Sequence, residues 1–205
     1  MKHAILTGFE PFGPYKYNPT QDIAREYNGR IIEDVKIFGL VLPCTYYGAS
    51  KLLSDKINEL SPNIILGTGL ASRVNGIRIE TVGRNIMNGK YEDAEGRKPD
   101  KEPIIKDGDP WHPTTFNNSL FMMPLCKAGI PAELSIDAEG FICNSLIYLT
   151  AKRIYDEKLP IKFAFFHTPW TTDYVDKINL EPGKITIEKA DLRKTIEILI
   201  KEMGV

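Results

Sequence analysis

The sequence predicts a single α/β domain, a three-layer α/β/α sandwich around a mostly parallel twisted sheet. Apolar, strand-like segments alternate with segments of helical periodicity, which is the order of a parallel sheet with helical crossovers. Residues Asn63–Gly69 form a near-continuous apolar run, typical of a strand covered on both faces. With 205 residues the chain is long enough for one sizeable core and short for two, so we expect one domain over residues 1–205.

Six strands and five helices are expected. The predicted strands are His3–Gly8, Val35–Pro43, Asn63–Gly69, Gly76–Asn85, Ala132–Ile136 and Ile161–Pro169. The first helix has Asn18 as a candidate N-cap, Pro19 at its first position and Gly29 as its stop. The other helices are indicated by the apolar spacing of Ala49, Leu52, Leu53, Ile57 and Leu60, by the segment from Thr115 toward Gly129, and by Phe141–Lys158 and Glu188–Met203.

The segment Met87–Pro113 is polar and rich in glycine, proline, lysine and aspartate. A loop of that length is uncommon in a compact domain, so it predicts either a functional segment or one involved in association. Trp111 and Phe116 are candidate exposed apolar side chains for such an association.

Composition excludes several classes of protein. The formal net charge is −1 and there is no basic run, which argues against nucleic-acid binding. No apolar stretch has the length of a transmembrane helix, and no segment resembles a signal peptide. The three cysteines, Cys44, Cys126 and Cys143, contain no C-x-x-C pair, which argues against a disulfide framework or a cysteine zinc site. We therefore expect a soluble cytoplasmic protein in a reducing environment.

Cys143 is the candidate nucleophile because it follows the loop "SIDAEG" and lies in the first turn of a predicted helix. Backbone N–H groups and the helix dipole favour an anion there, which predicts a lowered pKa for the thiol. A small buried core residue is the alternative. For Cys44 and Cys126 we expect only that structural role.

His167 ends a predicted buried strand, at the sheet edge where ligands of α/β proteins bind. A histidine there can deprotonate a thiol and protonate a leaving amine, although a structural histidine fits the position equally well. Glu80, in the strand-like "IRIETV", is either a carboxylate on a solvated face or a group that orients an imidazole. His3 is expected to be exposed. His112, with Asp107 and Asp109, is weak evidence for a metal site.

The stretch "TGFEPFG" places Phe9 and Phe12 after the first predicted strand, between residues that break regular structure. Two aromatic rings at that position either complete the core or line a binding pocket.

Several segments together resemble the pyroglutamyl-peptidase I (pyrrolidone-carboxylate peptidase) family of cysteine exopeptidases. Their order and spacing extend over nearly the whole chain. They are "TGFEPFG", "NPT", "GLASR", "IETVGRNIM", "GIPAELSIDAEGFICN" and "FFHTPW". The resemblance implies a phosphorylase/hydrolase-like fold, removal of an N-terminal pyroglutamyl residue from peptides, and no metal or organic cofactor.

The resemblance also implies roles for individual residues. The family's catalytic cysteine, histidine and glutamate correspond to Cys143, His167 and Glu80. Phe12, Phe9, Asn18 and Leu70 correspond to positions at the substrate, where the phenylalanine rings would hold the flat, mostly apolar pyroglutamyl ring. Backbone N–H groups at the start of the helix would stabilise the oxyanion.

The chain departs from the family pattern near these residues. Glu139 stands where glycine is usual, Thr81 replaces a basic residue, and Gly83 replaces a common alanine. Lys90 stands where the family has an arginine, and the segment 90–113 matches poorly. The altered loop at Glu139 leaves open a cysteine amidohydrolase acting on another small lactam or acyl amide. A catalytically silent binder of blocked N-termini is the non-enzymatic alternative. Family members commonly form dimers or tetramers, so the resemblance also implies a homo-oligomer.

Overall fold

The computed structural model describes residues 1–180 and 184–205, and a seven-stranded sheet lies at its centre. The order of strands across this sheet is β2-β3-β1-β4-β9-β5-β8. Its members are β1 (Lys2–Phe9), β2 (Ile31–Ile32), β3 (Val35–Leu42), β4 (Ile64–Leu70), β5 (Ile77–Glu80), β8 (Ala132–Ser135) and β9 (Lys162–Thr168). Two small two-stranded sheets pair β6 (Val82–Arg84) with β7 (Trp111–Pro113), and β10 (Trp170–Thr171) with β11 (Thr186–Ile187). The short strands β2, β7, β10 and β11 were not predicted.

Most neighbouring strands of the central sheet are parallel, which confirms the predicted class. Strands β3, β1, β4 and β9 run parallel to one another. The two exceptions are the pairs β2–β3 and β5–β9, which are antiparallel. The second exception matters for function because it sets which β5 side chains face β9.

In the part of the chain that the structure describes, five α-helices cover the two faces of the sheet. They are α1 (Pro19–Tyr27), α2 (Gly48–Leu60), α3 (Met122–Lys127), α4 (Ile142–Asp156) and α5 (Lys189–Gly204). Helices α1, α3 and α5 pack with one set of strand side chains, and α2 and α4 pack with the alternate set. Along β1, for example, Ala4 and Leu6 belong to the first core and Ile5 to the second. The three-layer arrangement is therefore confirmed.

The predicted start of the first helix is confirmed in detail. The side-chain oxygen of Asn18 accepts a hydrogen bond of 3.1 Å from the backbone N–H of Thr20, and Pro19 is the first helical residue. Gly29 follows the helix with φ +83°, a backbone conformation that favours glycine. Helices α2, α4 and α5 match their predicted positions to within a few residues.

The predicted single strand Gly76–Asn85 is wrong, because the chain leaves the central sheet after Glu80. The backbone N–H and the hydroxyl of Thr81 both donate to the carbonyl of Ser135, and the chain then enters β6. Strand β6 lies against α4 so closely that a Cβ atom on Gly83 would lie 2.3 Å from the backbone nitrogen of Tyr148. An alanine at this position therefore does not fit without a shift of the backbone.

The long helix predicted between Thr115 and Gly129 is also wrong. A 3₁₀ helix over Asn118–Phe121 is followed by the six-residue α3, and Pro124 lies in the first turn of α3. Proline is tolerated only near the start of a helix, so one long helix with Pro124 in its middle is disfavoured. Phe116, expected to be exposed, stacks on Phe121 with the ring centroids 4.8 Å apart.

The segment 87–113 follows an irregular path held by local hydrogen bonds. Asp93 is buried and its carboxylate accepts from the backbone N–H groups of Tyr46, Glu95 and Arg97 at 2.8–3.2 Å. Trp111 is 56% exposed, as predicted. No helix in the described part of the chain is long and apolar enough to cross a membrane.

Candidate active site

Cys143 is the second residue of α4, as the sequence predicts for a nucleophile at the start of a helix. Phe141 occupies the N-cap and provides no side-chain hydrogen bond to the helix. Among the described residues, the backbone N–H groups of Ile142, Cys143 and Asn144 have no backbone acceptor outside the helix, and the N–H of Cys143 lies beside its own sulfur. The first N–H groups of an α-helix have no partner within the helix, so this helix start can donate to an anionic oxygen.

The predicted lowering of the Cys143 pKa is wrong. Burial raises the pKa of the thiol well above its usual value, and electrostatic interactions with Cys44, Glu80 and Glu139 raise it further. A backbone N–H lowers the pKa but does not compensate. The sequence indicated the helix terminus correctly but not how strongly the site desolvates the sulfur. The thiol therefore remains protonated near neutral pH until a base accepts its proton.

Glu80 and His167 form a buried pair. A carboxylate oxygen of Glu80 lies 2.7 Å from Nδ1 of His167, and Glu80 is fully buried while His167 is 6% exposed. A carboxylate accepts, so Nδ1 carries the hydrogen and Nε2 is left as the basic nitrogen. His167 lines the pocket that also contains Cys143.

Strand register explains why these two side chains meet. In the antiparallel β5–β9 pair, Glu80 lies opposite Phe165, and His167 is two residues farther along β9 on the same face. Diagonal neighbours of this kind are within reach of long side chains. The solvated-face alternative for Glu80 is therefore wrong.

The environment of Glu80 keeps its carboxyl group ionised. Burial by itself would raise the pKa of Glu80, but the hydrogen bond and charge of His167 lower it, with smaller contributions from Ser135 and Arg78. The balance places the pKa below its usual value. A carboxylate in this position fixes the imidazole tautomer and stabilises an imidazolium.

Gly69 provides the space in which Cys143 and His167 approach each other. It pairs with His167 in the β4–β9 register, so a side chain there would project beside the imidazole. A Cβ atom on Gly69 would lie 2.8 Å from Sγ of Cys143 and 3.1 Å from Nε2 of His167. Sγ and Nε2 are thus at most about 6 Å apart, and catalytic hydrogen bonds are often long before substrate binds. Sequence reasoning missed Gly69, although its position at the end of an apolar strand was a usable signal.

The pocket wall includes the four residues expected at the substrate. Phe9, Phe12, Asn18 and Leu70 all line it. Phe12 packs between Tyr15 and Phe141, with ring centroids 5.7 and 5.8 Å away, whereas Phe9 is almost fully buried and also belongs to the core beside α2 and α4. The side-chain amide of Asn18 is used internally, since its oxygen caps α1 and its nitrogen donates to the carbonyl of Glu10.

A network of hydrogen bonds fixes the loop before Cys143. The side chain of Asn144 accepts from the N–H of Arg84 and donates to the carbonyls of Arg84 and Ile86, each at 2.8 Å. Arg84 also pairs with Asp137 at 2.6 Å. Sequence reasoning named neither Asn144 nor Asp137 as a positioning residue, because their partners are distant in the chain.

The remaining histidines and cysteines lie elsewhere. His112 is buried, with its ring centroid 5.0 Å from that of Tyr148, and no cluster of three or more potential metal-binding His, Cys, Asp or Glu side chains occurs among the described residues. His3 is half-buried and packs edge-on against Phe38, rather than being exposed. Cys44 is buried as expected, and burial raises its pKa to about 12. Cys126 is exposed, contrary to expectation.

Comparison with known proteins gives the family directly. The sequence profile of the pyroglutamyl peptidase family matches residues 2–202. The chain belongs to this family. The resemblance found in the sequence motifs is thereby confirmed.

Individual members of the pyroglutamyl peptidase family are similar along their whole length. The pyrrolidone-carboxylate peptidase of Pyrococcus furiosus is 32% identical over 210 residues, covering 97% of this chain and 98% of its own. The corresponding protein of Bacillus cereus is 31% identical, covering 98% of this chain and 92% of its own. The solved structure of pyrrolidone carboxyl peptidase from Thermococcus litoralis superposes with a TM-score of 0.93 at 30% identity, covering 100% of this chain and 94% of its own.

Proposed function

We propose that this member of the pyroglutamyl peptidase family hydrolyses the bond after an N-terminal pyroglutamyl residue, with Cys143 as nucleophile, His167 as general acid and base, and Glu80 as the group that orients the imidazole. The observation that supports this most strongly is the convergence of Sγ of Cys143 and Nε2 of His167 above Gly69, with Nδ1 held by Glu80.

The first half of the reaction forms a thioester. As Sγ attacks the pyroglutamyl carbonyl carbon, the thiol proton passes to Nε2 of His167, and the carbonyl oxygen becomes an oxyanion. The free N–H groups at the start of α4 donate to that oxyanion. The imidazolium, stabilised by Glu80, then protonates the leaving amine as the C–N bond breaks.

The second half releases pyroglutamate. His167, again neutral, removes a proton from water, and the hydroxide attacks the thioester carbon. The C–S bond breaks and the sulfur regains its proton from the imidazolium. Because the pKa of the free thiol is raised, His167 must accept the proton during the attack, and a preformed thiolate is not required.

Catalysis is tested by comparing hydrolysis of a pyroglutamyl anilide with that of prolyl and acetyl-amino-acid anilides. We expect activity only on the pyroglutamyl compound, abolished by Cys143→Ala. Full activity in that variant would overturn the mechanism. Preference for another acyl group would favour the alternative cysteine amidohydrolase, and binding of pyroglutamyl peptide without turnover would favour the silent binder.

The pyroglutamyl ring is proposed to bind against Phe12, with Phe9 and Leu70 behind it and Asn18 holding the loop that carries Phe12. The partial exposure of Phe12 in the pocket supports this order of contacts. Phe12→Ala should raise KM at least tenfold, since a buried aromatic contact is worth roughly 1.5–3 kcal/mol. Alkylation of Cys143, measured in a Cys126→Ser background to silence the exposed thiol, should proceed at the wild-type rate. An unchanged KM would assign Phe12 to the core alone.

We further propose that the enzyme acts in the cytoplasm on pyroglutamyl peptides as a homo-oligomer, a dimer or tetramer. The three free cysteines fit a reducing compartment, and exposed apolar side chains such as Trp111, Met123 and Ile136 provide surface for association. Sedimentation equilibrium tests the oligomer, and a monomer at micromolar concentration would contradict it.

A further inference from the structure

The charged side chains that line the active-site pocket are mostly cationic. They are Arg73, Arg78, Lys90 and Glu139, and we call these four side chains the pocket rim. Three of them are positive and one is negative. The excess is notable because the pyroglutamyl ring is uncharged and gives the enzyme no reason to concentrate cations around it.

Two of the rim cations have no carboxylate partner among residues 1–180 and 184–205. Arg73 is exposed and forms no hydrogen bond or ion pair with any described residue. Lys90 is exposed, and its ammonium group lies 5.1 Å from the centroid of the Tyr91 ring. Arg78, in contrast, is neutralised by Glu133, whose carboxylate lies 3.0 Å from it. Arg73 and Lys90 are therefore the cations available to a ligand.

The only carboxylate of the rim does not neutralise them. Glu139 forms no ion pair with Arg73 or Lys90, and its backbone N–H is held by the carboxylate of Asp137 at 3.0 Å. This position, just before α4, places the negative charge close enough to Cys143 to act on its thiol. Within the rim, Glu139 opposes the binding of an anion that Arg73 and Lys90 favour.

We propose, on the basis of the proposed function, that Arg73 and Lys90 bind a carboxylate on the leaving part of the substrate, and that the enzyme therefore prefers acidic pyroglutamyl peptides. A pyroglutamyl peptide has no N-terminal ammonium group, so its charges lie beyond the scissile bond. Two sources supply a carboxylate near that bond: the free C-terminus of a pyroglutamyl dipeptide, and an acidic side chain on the residue after pyroglutamate. Both present the same anion to the rim.

Matched substrate pairs test the preference and separate its sources. The α-carboxylate is tested by kcat/KM for pyroglutamyl-alanine against pyroglutamyl-alanine amide, and the side chain by pyroglutamyl-glutamate amide against pyroglutamyl-glutamine amide. We expect the anionic member of at least one pair to be preferred about threefold or more at low salt, as exposed ion pairs allow. The preference should fall as ionic strength rises.

Variants of the pocket rim test how each charged side chain affects the preference for the anionic substrate. Arg73→Gln and Lys90→Gln should each lower the preference toward one, and Glu139→Gln should increase it. Lys106→Gln is the matched control, because Lys106 is exposed and does not line the pocket. It should leave the ratio at its wild-type value.

The outcomes distinguish this inference from the proposed function. Equal rates within both pairs, unaffected by salt or by any rim variant, would overturn the inference while hydrolysis of the neutral pyroglutamyl anilide upholds the proposed function. Failure to hydrolyse the anilide and every peptide would overturn both. A preference in the first pair alone assigns the site to the C-terminal carboxylate, and one in the second pair alone assigns it to the acidic side chain.

Discussion

His167 and Glu80 are joined by a contact of 2.7 Å between Nδ1 and a carboxylate oxygen, and this contact lies in the interior of the protein. The other oxygen of Glu80 has no hydrogen-bond partner among the described residues. The carboxylate of Glu80 therefore interacts mainly with the imidazole of His167. Changes to this contact should therefore affect both the free energy of unfolding and the rate of catalysis.

Replacing Glu80 by glutamine should strongly impair catalysis with little change in shape. A neutral amide cannot stabilise the imidazolium, and it can present its NH₂ group to Nδ1, which favours the wrong tautomer. We expect kcat for the pyroglutamyl anilide to fall by about 10⁴, the loss seen when the orienting carboxylate of a Ser-His-Asp triad becomes an amide. Glu133→Gln is a matched control, since Glu133 pairs with Arg78 on the exposed side of β8. A loss of less than twofold in Glu80→Gln would contradict the assigned role.

Glu80 should also make the free energy of unfolding depend on pH in the acid range. The pKa of Glu80 is lowered in the folded protein, so its contribution is complete above the unfolded-state pKa and is lost as pH falls through the folded-state pKa. We expect the free energy of unfolding of the wild type to fall more steeply below about pH 5 than that of Glu80→Gln. Urea denaturation across this range measures both slopes. Parallel curves would show that the carboxylate is not preferentially ionised in the fold.

Gly69→Ala should lower kcat by displacing the side chains of Cys143 and His167. The new methyl group would lie within about 3 Å of both Sγ of Cys143 and Nε2 of His167, so these groups must move apart. Displacements of about 1 Å cost roughly 10² in rate, and we expect a loss of kcat of at least that size. Gly96→Ala is the control for kcat alone, because a Cβ atom there meets nothing within 4 Å, while its φ of +82° makes alanine cost stability. It should keep wild-type kcat, and a Gly69→Ala enzyme with wild-type kcat would refute the close approach.

Glu139 should be a source of backbone strain. Its φ of +61° lies in the left-handed region, which costs a residue with a Cβ atom about 1 kcal/mol relative to glycine. We therefore expect Glu139→Gly to be more stable than Glu139→Ala by about that amount in chemical denaturation. At Glu157, where φ is −86°, the same pair of substitutions should give the opposite order. The same order at both positions would argue against strain at Glu139.

Local patterns in the sequence were sufficient for much of the fold. The N-cap at Asn18 and the continuous apolar strand β4 follow from side-chain chemistry within a few residues, and both are confirmed. The break at Thr81 and the interruption by Pro124 were missed. At Thr81 the competing partner, the carbonyl of Ser135, is distant in the chain. Around Pro124 the apolar residues have helical spacing, although proline is disfavoured in the interior of a helix.

The sequence by itself determined the family and the class of fold, because motif identity and periodicity are local properties. It also predicted Cys143, His167 and Glu80 as the candidate catalytic residues. Only the tertiary structure decided the distances between these residues. The antiparallel register of β5 against β9 brings Glu80 to His167, and the absence of a side chain at Gly69 leaves room for the sulfur. Burial, not the helix terminus, then sets the direction of the Cys143 pKa, since desolvation depends on everything packed around the thiol.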